Sequence, residues 1–581
     1  MSDASRRKSR LAPALRGLEA YRIPRAERPV DLRLDGNEGA APPDTLLDAL
    51  RAAAPDVLRR YPDATVLERA LAARHGVAPE RVLVTAGADE ALDRACRALL
   101  SPGDAIVLPV PTFEMLPHYA RLAGARAIEV PWPSGPYPLD AVLRAAYGDA
   151  PEAKAIALVS PNNPTGAVAS ANDLDRLASS APAGAALLVD SAYAEFADED
   201  LTARALAHGN AIVFRTLSKA WGLAGLRVGY AIAEPEVISW LRAAGGPYSV
   251  AGPALALALA RLESGAADVA RFVAEVRAER ASLAATLREL GAEPIPSQAN
   301  FVLARFVDAA FARDALLGLG IAVRGFPGRE PLRDALRITC PGSAAVLARL
   351  EAALRAALAP EALLLDIDGV LADDSRSYRV AVVETAKSFG VALTLADVAL
   401  AKAAGGANDD WSLTRRLLES RGVAADLAEV TRRFEAVYQG TGDRPGLRAT
   451  ESLIPARATL ERLAARLPLA AVTGRPRRDA VLFLERAGVL PLFRTLVCRE
   501  DAPRMKPDPA PVRTALERLS VASAWMVGDT PDDVRAARAA GVVPIGVVAP
   551  GDDAAAAETA LLSAGAARVL ARFDELETLL P

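Results

Sequence analysis

Thr216-Leu217-Ser218-Lys219-Ala220-Trp221-Gly222-Leu223, running on to Arg227, is the stretch that decides how the first half of this chain reads. One lysine stands among small hydroxyl donors, glycines and an arginine, the groups needed to present an amine beside a bound phosphate ester. Lysine is scarce here: the 68 Lys+Arg residues include only Lys8, Lys154, Lys219, Lys387, Lys402 and Lys506. Arginine serves almost everywhere else, so a lysine kept inside a motif points to amine chemistry or to a compact charge.

Outward from Lys219, short apolar runs alternate with stretches of helical period. Arg81-Val82-Leu83-Val84-Thr85, Ala105-Ile106-Val107-Leu108, Ala155-Ile156-Ala157-Leu158-Val159 and Ala186-Leu187-Leu188-Val189 read as strands of a mainly parallel α/β sheet. The alternation starts again in Leu363-Leu364-Leu365-Asp366, Leu469-Ala470-Ala471-Val472-Thr473 and Ala524-Trp525-Met526-Val527-Gly528. Pro360 stops the helical pattern of 344–358, which leaves a short linker before the second series. The chain therefore divides into a flexible N-terminal arm, 1–28, an α/β unit, 29–358, and a second α/β unit, 359–581. Residues from about 375 to 455 interrupt the second unit with helical patterns and read as a cap.

A chain of 581 residues fits two to four domains, and a net charge of −4 argues against a nucleic-acid or anionic-membrane partner. The one basic cluster, Arg6-Arg7-Lys8-Ser9-Arg10, is expected to be a disordered tail, with a dimer-clasping arm as the alternative. No run approaches the roughly 18–20 apolar residues of a membrane span and no signal peptide is evident, so the expected location is cytoplasmic. Cys96, Cys340 and Cys498 form no CxxC pair and read as buried fillers. His75, His118 and His208 are far apart in sequence, so acid–base work falls to carboxylates and lysine.

Lys219 has further companions in chain order. Gly87-Ala88-Asp89 follows a strand and opens a helix, so its N–H groups can take a phosphate at the helix N-terminus. Thr216, Ser218 and Arg227 add donors. Asp190, at the end of a strand, can pair with a pyridine nitrogen and keep it protonated, Tyr193 and Asn163 can hydrogen-bond a ring hydroxyl, and Phe113 can stack on the ring. These groups suit pyridoxal phosphate.

The ordered set Gly87-Ala88-Asp89, Phe113, Asn163-Pro164-Thr165-Gly166, Asp190-x-x-Tyr193, Ser218-Lys219 and Arg227 resembles the fold-type-I pyridoxal phosphate aminotransferases, histidinol-phosphate aminotransferases above all. The likeness covers about 30–355 and includes Asn37-Glu38, Arg60-Tyr61-Pro62-Asp63 and Leu336-Arg337-Ile338-Thr339. It implies a large, mixed but mainly parallel sheet with a small α+β domain. It also implies a homodimer in which Tyr61 reaches the cofactor phosphate of the neighbouring subunit, with Asn37, Arg337 and Arg324 at the substrate and Lys219 serving as imine partner and proton carrier. The substrate edge departs from the family: Gly39-Ala40-Ala41-Pro42-Pro43 follows Asn37-Glu38, Phe113 stands where tyrosine is common, and Cys340-Pro341-Gly342 follows Thr339. Threonine-phosphate decarboxylases share much of this framework, which keeps a lyase open beside an aminotransferase.

In the second unit Asp366-Ile367-Asp368-Gly369-Val370 ends a strand, and the i, i+2 spacing points both carboxylates toward one cleft. Asp366 can attack phosphorus while Asp368 protonates the leaving oxygen. Thr473 offers a hydroxyl and Lys506 a charge, and Asp366, Asp368, Asp529 and Asp533 form the expected Mg²⁺ set. The four motifs resemble those of haloacid dehalogenase superfamily phosphatases, a Rossmann-like α/β fold, with a helical cap after the first motif. The segment Gly405-Gly406-Ala407-Asn408-Asp409-Asp410-Trp411 could touch substrate or be only a polar helix start. Together the two halves read as a bifunctional enzyme on small molecules: transamination of imidazole acetol phosphate with glutamate, then phosphomonoester hydrolysis. An unrelated phosphate ester, or a second half used only for binding, remains the alternative.

Overall fold

The computed structural model describes residues 15–18, 28–148, 152–406, 409–442 and 444–581. Apart from 15–18 and 28, the expected N-terminal arm lies outside the described residues, as do Ala407 and Asn408 of the cap segment.

The chain packs into two compact units. The first includes Leu34–Val307 and Arg324–Leu347; the second includes Asp308–Val323 and Ala348–Pro581. The division by packing therefore does not follow the linker at 359–362. The helix Ala309–Gly318 sets Phe311 against Trp525, with ring centroids 4.8 Å apart, and the Trp525 indole N–H donates to the Ala356 carbonyl at 2.8 Å.

In the first unit seven strands run in the order Val82–Thr85, Gly229–Ile232, Ala211–Thr216, Ala186–Asp190, Ala155–Val159, Ala105–Val110 and Arg126–Pro131. Gly229–Ile232 is antiparallel to both neighbours and the others are parallel. Strands covered on both faces have no solvent face to alternate with, which is why Ala155–Val159 is apolar throughout and wholly buried. A smaller antiparallel arrangement pairs Phe301–Arg305 with Ala335–Thr339, and its register places Arg324 directly across from Arg337.

The second unit carries a six-stranded parallel sheet in the order Phe493–Val497, Leu469–Val472, Leu363–Leu365, Trp525–Gly528, Val543–Val547 and Arg568–Leu570. Its first strand in sequence, Leu363–Leu365, lies in the interior of the sheet, so the chain winds out to either side of it. That is the topological switch at which open α/β sheets bind ligands, beyond the carboxyl ends of the strands. Within about 375–455 the chain forms the helices Tyr378–Ser388, Leu395–Ala403, Asp410–Ser420 and Leu427–Gln439, which share a core built on Val382, Leu418 and Phe434. Among the described residues no helix is long and apolar enough to cross a membrane.

Candidate active sites

The first site forms at the carboxyl ends of the parallel strands. Gly87, at φ +83°, caps the helix Ala88–Leu99 and leaves its first N–H groups facing outward. A Cβ at Gly87 would come within 2.8 Å of Arg227, so the arginine lies directly over this turn. Arg227 also donates to Asp89 at 2.8 Å. Thr216 and Ser218 are both buried, with the Thr216 hydroxyl donating to Ser218 at 2.9 Å. Helix start, two hydroxyls and a guanidinium together make an anion cradle.

Lys219 follows the strand Ala211–Thr216. Its Nζ donates to the Gly36 carbonyl at 3.2 Å and lies 5.8 Å from the Tyr193 ring centroid. Asn37 donates to the Tyr193 hydroxyl at 3.0 Å. Asp190 ends its strand almost fully buried and accepts from the Ala192 N–H at 3.0 Å. Burial pushes its carboxyl up to about 7, with Lys219 acting weakly against it. A carboxylate in that setting calls for a cation, as a protonated pyridine nitrogen would provide. Cradle, lysine and buried aspartate thus fit pyridoxal phosphate.

Arg337 lies on the strand Ala335–Thr339 and is buried, donating to Asn163 at 2.6 Å and to the Asp35 carbonyl at 2.8 Å. The Asn163 side-chain oxygen is therefore engaged by Arg337. Arg324, across from it, pairs with Glu114 at 3.3 Å, and Arg329 joins the same carboxylate. Neither Glu114 nor Arg329 belongs to a motif, so sequence reasoning passed them over. Phe113 is half-buried against the sheet core. Tyr61 is 82% exposed and stacks on Tyr248 with ring centroids 4.8 Å apart. The small residues after Asn37 have a physical reason: a Cβ at Gly39 would stand 1.9 Å from the Lys219 carbonyl, so the segment lies directly on the lysine loop.

The second site gathers at the ends of Leu363–Leu365, Leu469–Val472 and Trp525–Gly528. Lys506 stands 3.1 Å from Asp366 and also pairs with Asp533. Asp366, Asp529 and Asp533 each bring a carboxylate oxygen within 4.8 Å of the others. Asp533 is placed by a capping box with Thr530 at the start of Pro531–Ala539. Gly369, at φ +69°, permits the close approach of Asp529, whose Oδ2 would lie 2.2 Å from a Cβ there. The Asp529 Oδ1 is buried with no hydrogen-bond partner. Burial, and then the charge of Asp533, push the Asp529 carboxyl well up. Three carboxylates around one ammonium leave a deficit of positive charge that a divalent cation fits.

Arg475 engages two residues of the expected site. Asp368, expected among the metal ligands, keeps its carboxylate apart from this cluster, because Arg475 holds it by two hydrogen bonds to Oδ1 at 2.9 and 2.5 Å. Thr473, expected to offer a hydroxyl donor, accepts the Arg475 backbone N–H at 3.2 Å, and its own hydroxyl hydrogen stays available to donate. On the cap side, Asp409 caps Asp410–Ser420 and pairs with Arg499 at 3.0 Å, which favours the helix-start reading for that residue. Asp410 instead turns to Lys402, 4.0 Å away, and burial pushes its carboxyl up to about 6. Lys402 and Asp529 both line a cavity of about 360 Å³.

Comparison with known proteins agrees with this geometry. The aminotransferase class I and II profile matches residues 31–354, and the haloacid dehalogenase-like hydrolase profile matches residues 360–541. The chain belongs to the class I and II aminotransferases and carries a haloacid dehalogenase-like hydrolase domain behind that part. Histidinol-phosphate aminotransferase of Xanthomonas euvesicatoria pv. vesicatoria is 40% identical over 290 residues, covering 48% of this chain and 80% of that protein. A Phytophthora nicotianae protein named imidazoleglycerol-phosphate dehydratase is 46% identical over 198 residues, 33% of this chain and 44% of that protein. Among solved structures, Sinorhizobium meliloti histidinol-phosphate aminotransferase in complex with pyridoxal 5'-phosphate aligns with TM-score 0.54 and 27% identity, covering 60% of this chain and 97% of that one.

Proposed function

We propose that the chain is a bifunctional enzyme: it transaminates imidazole acetol phosphate with glutamate to L-histidinol phosphate and 2-oxoglutarate, and it hydrolyses a phosphate monoester, histidinol phosphate being the candidate. The observation that carries this reading is the coexistence on one chain of the Lys219–Asp190–Arg227 constellation and the Asp366–Lys506–Asp529–Asp533 cluster. Amination at the first site leaves on its product the phosphate that the second site is built to remove. The names of the relatives add support, since dehydration of an imidazole glycerol phosphate yields an acetol phosphate, the ketone an aminotransferase would accept.

In this reading the bound cofactor serves as electron sink for the carbon being aminated. Gly87, Ala88, Thr216, Ser218 and Arg227 hold its phosphate, with Tyr61 added from a partner subunit of a homodimer. Asp190 keeps its ring nitrogen protonated, while Phe113, Asn163 and Tyr193 fix the ring. Lys219 moves the proton between the two carbons that exchange it, and Asn37, Arg324 and Arg337 hold the anionic substrate. At the second site Asp366 attacks phosphorus, Asp368 protonates the departing oxygen and then takes a proton from water, and Thr473 and Lys506 bind phosphoryl oxygens. Mg²⁺ held by Asp366, Asp529 and Asp533 would supply charge neutralisation. We place the sequence boundary of the two catalytic domains at 358/359 and the protein in the cytoplasm.

The test supplies the whole chain with cofactor, Mg²⁺, glutamate and imidazole acetol phosphate, and follows 2-oxoglutarate and inorganic phosphate. Asp366→Asn should form 2-oxoglutarate without phosphate. Lys219→Ala should release phosphate only when histidinol phosphate is added directly. Wild type that makes 2-oxoglutarate but leaves histidinol phosphate intact would refute the proposed ester.

A further inference from the structure

The Arg475 side chain is about 99% buried, and its hydrogen bonds go to two carboxylates and, at 3.5 Å, to the Tyr438 hydroxyl. Nε and Nη2 donate to Asp368 Oδ1 at 2.9 and 2.5 Å, while Nη1 and Nη2 donate to the two oxygens of Glu451 at 3.0 and 3.1 Å. Its Cζ stands over the rings of Tyr378, 4.9 Å from the centroid, and Phe483, 5.3 Å from the centroid. Glu451 in turn accepts from the Ser377 hydroxyl at 2.9 Å and the Tyr438 hydroxyl at 3.1 Å. Tyr378 and Tyr438 lie on the cap helices Tyr378–Ser388 and Leu427–Gln439. A planar guanidinium bonded to two carboxylates and packed against two rings keeps little rotational freedom, so the oxygen it grips is held in place as well.

The consequence falls on the other oxygen of Asp368. Both Arg475 bonds go to Oδ1, and Oδ2 has no hydrogen bond among the described residues, while the side chain keeps about a fifth of its surface open. Glu451 balances the guanidinium charge, so Arg475 acts on Asp368 by direction more than by net charge.

We propose that Arg475, anchored by Glu451 and the cap tyrosines, is the positioning residue of the second site, holding Asp368 so that Oδ2 faces the ester oxygen that leaves. This rests on the aspartyl-phosphatase reading of that site. As the Asp366–phosphorus bond forms and the phosphorus–ester bond breaks, the proton on Asp368 Oδ2 passes to the departing alkoxide, which leaves as the alcohol, and Asp368 becomes a carboxylate.

The experiment measures kcat/KM of the whole chain with Mg²⁺ on two esters, p-nitrophenyl phosphate and a primary alkyl phosphate. This parameter reports the steps through release of the alcohol or phenol. Nitrophenolate leaves without a proton, whereas an alkoxide needs one, and a placed general acid contributes about 10²–10⁴-fold. Arg475→Gln should lose about 10²-fold or more on the alkyl ester and less than about 10-fold on the aryl ester. Glu451→Gln should tilt the same way with a smaller loss, and it carries the test if Arg475→Gln does not fold. Equal losses on both esters, or none, would overturn the inference alone. If Asp366→Asn hydrolyses both esters as fast as wild type, the aspartyl-phosphatase reading falls first and takes this inference with it.

Discussion

The Lys506 ammonium stands 3.1 Å from the Asp366 carboxylate and donates to the Val472 carbonyl, also at 3.1 Å, which ties the strand Leu469–Val472 to the residue that ends Leu363–Leu365. Burial raises the Asp366 carboxyl while the charge of Lys506 works against it, and Asp533 raises it further. Lys506 is thus the counter-charge of the cluster, fully buried with its partners.

Lys506→Met should abolish phosphate release and lower stability, since stranding a buried carboxylate costs about 3–5 kcal/mol. Phosphate release and a thermal unfolding curve check both. Transamination assayed below the unfolding transition should persist.

Chelation should separate the two activities. With three carboxylates poised for a cation at the second site, removal of divalent metal should stop phosphate release and leave 2-oxoglutarate formation unchanged. Asp529→Asn should raise the Mg²⁺ concentration needed for half-maximal phosphate release. A metal-independent phosphatase would contradict the assignment.

Asp190→Ala removes the buried carboxylate expected to face the cofactor nitrogen. Transamination should fall by about 10²-fold or more and the visible absorbance of bound cofactor should titrate at higher cofactor concentration, while hydrolysis of phosphate esters holds. Absorbance titration and the two assays on one preparation settle it.

His75 predicts an acid sensitivity. Its Nε2 lies 3.0 Å from the Tyr230 hydroxyl, and burial, aided by the charge of Arg215, depresses its pKa to about 4. The unfolded chain takes a proton near the ordinary value of about 6.5 where the folded one does not, so stability is lost as pH falls from about 6.5 toward 4. Between about pH 7 and 5 the loss should be roughly 1–2 kcal/mol. Urea unfolding of wild type and His75→Asn at both values checks it: the variant should lose less.

Local chemistry made much of this protein legible. Gly87 before a helix, Asp190 and Asp366 at strand ends, and Thr530 three residues before Asp533 are short-range patterns whose backbone geometry follows from neighbours in sequence. Other roles depended on partners far along the chain. Arg475 lies in a motif quoted for its threonine, and nothing nearby marks Asp368 or Glu451 as its partners, which are 107 and 24 residues away. Arg324 meets Glu114, 210 residues away, and no local pattern announces that pair.

The sequence by itself determined the class of each half, the order of the motifs and which residue types stand at each strand end, because strand period, caps and turn chemistry act over a few residues. Only the tertiary structure decided which of those ends meet. The pairing of Asp368 with Arg475 rather than with the carboxylates of Asp366, Asp529 and Asp533, and of Arg337 with Asn163 across 174 residues, follows from sheet order and burial. Those set distances between groups that no local pattern relates, and in a buried site the nearest charged partner takes the carboxylate.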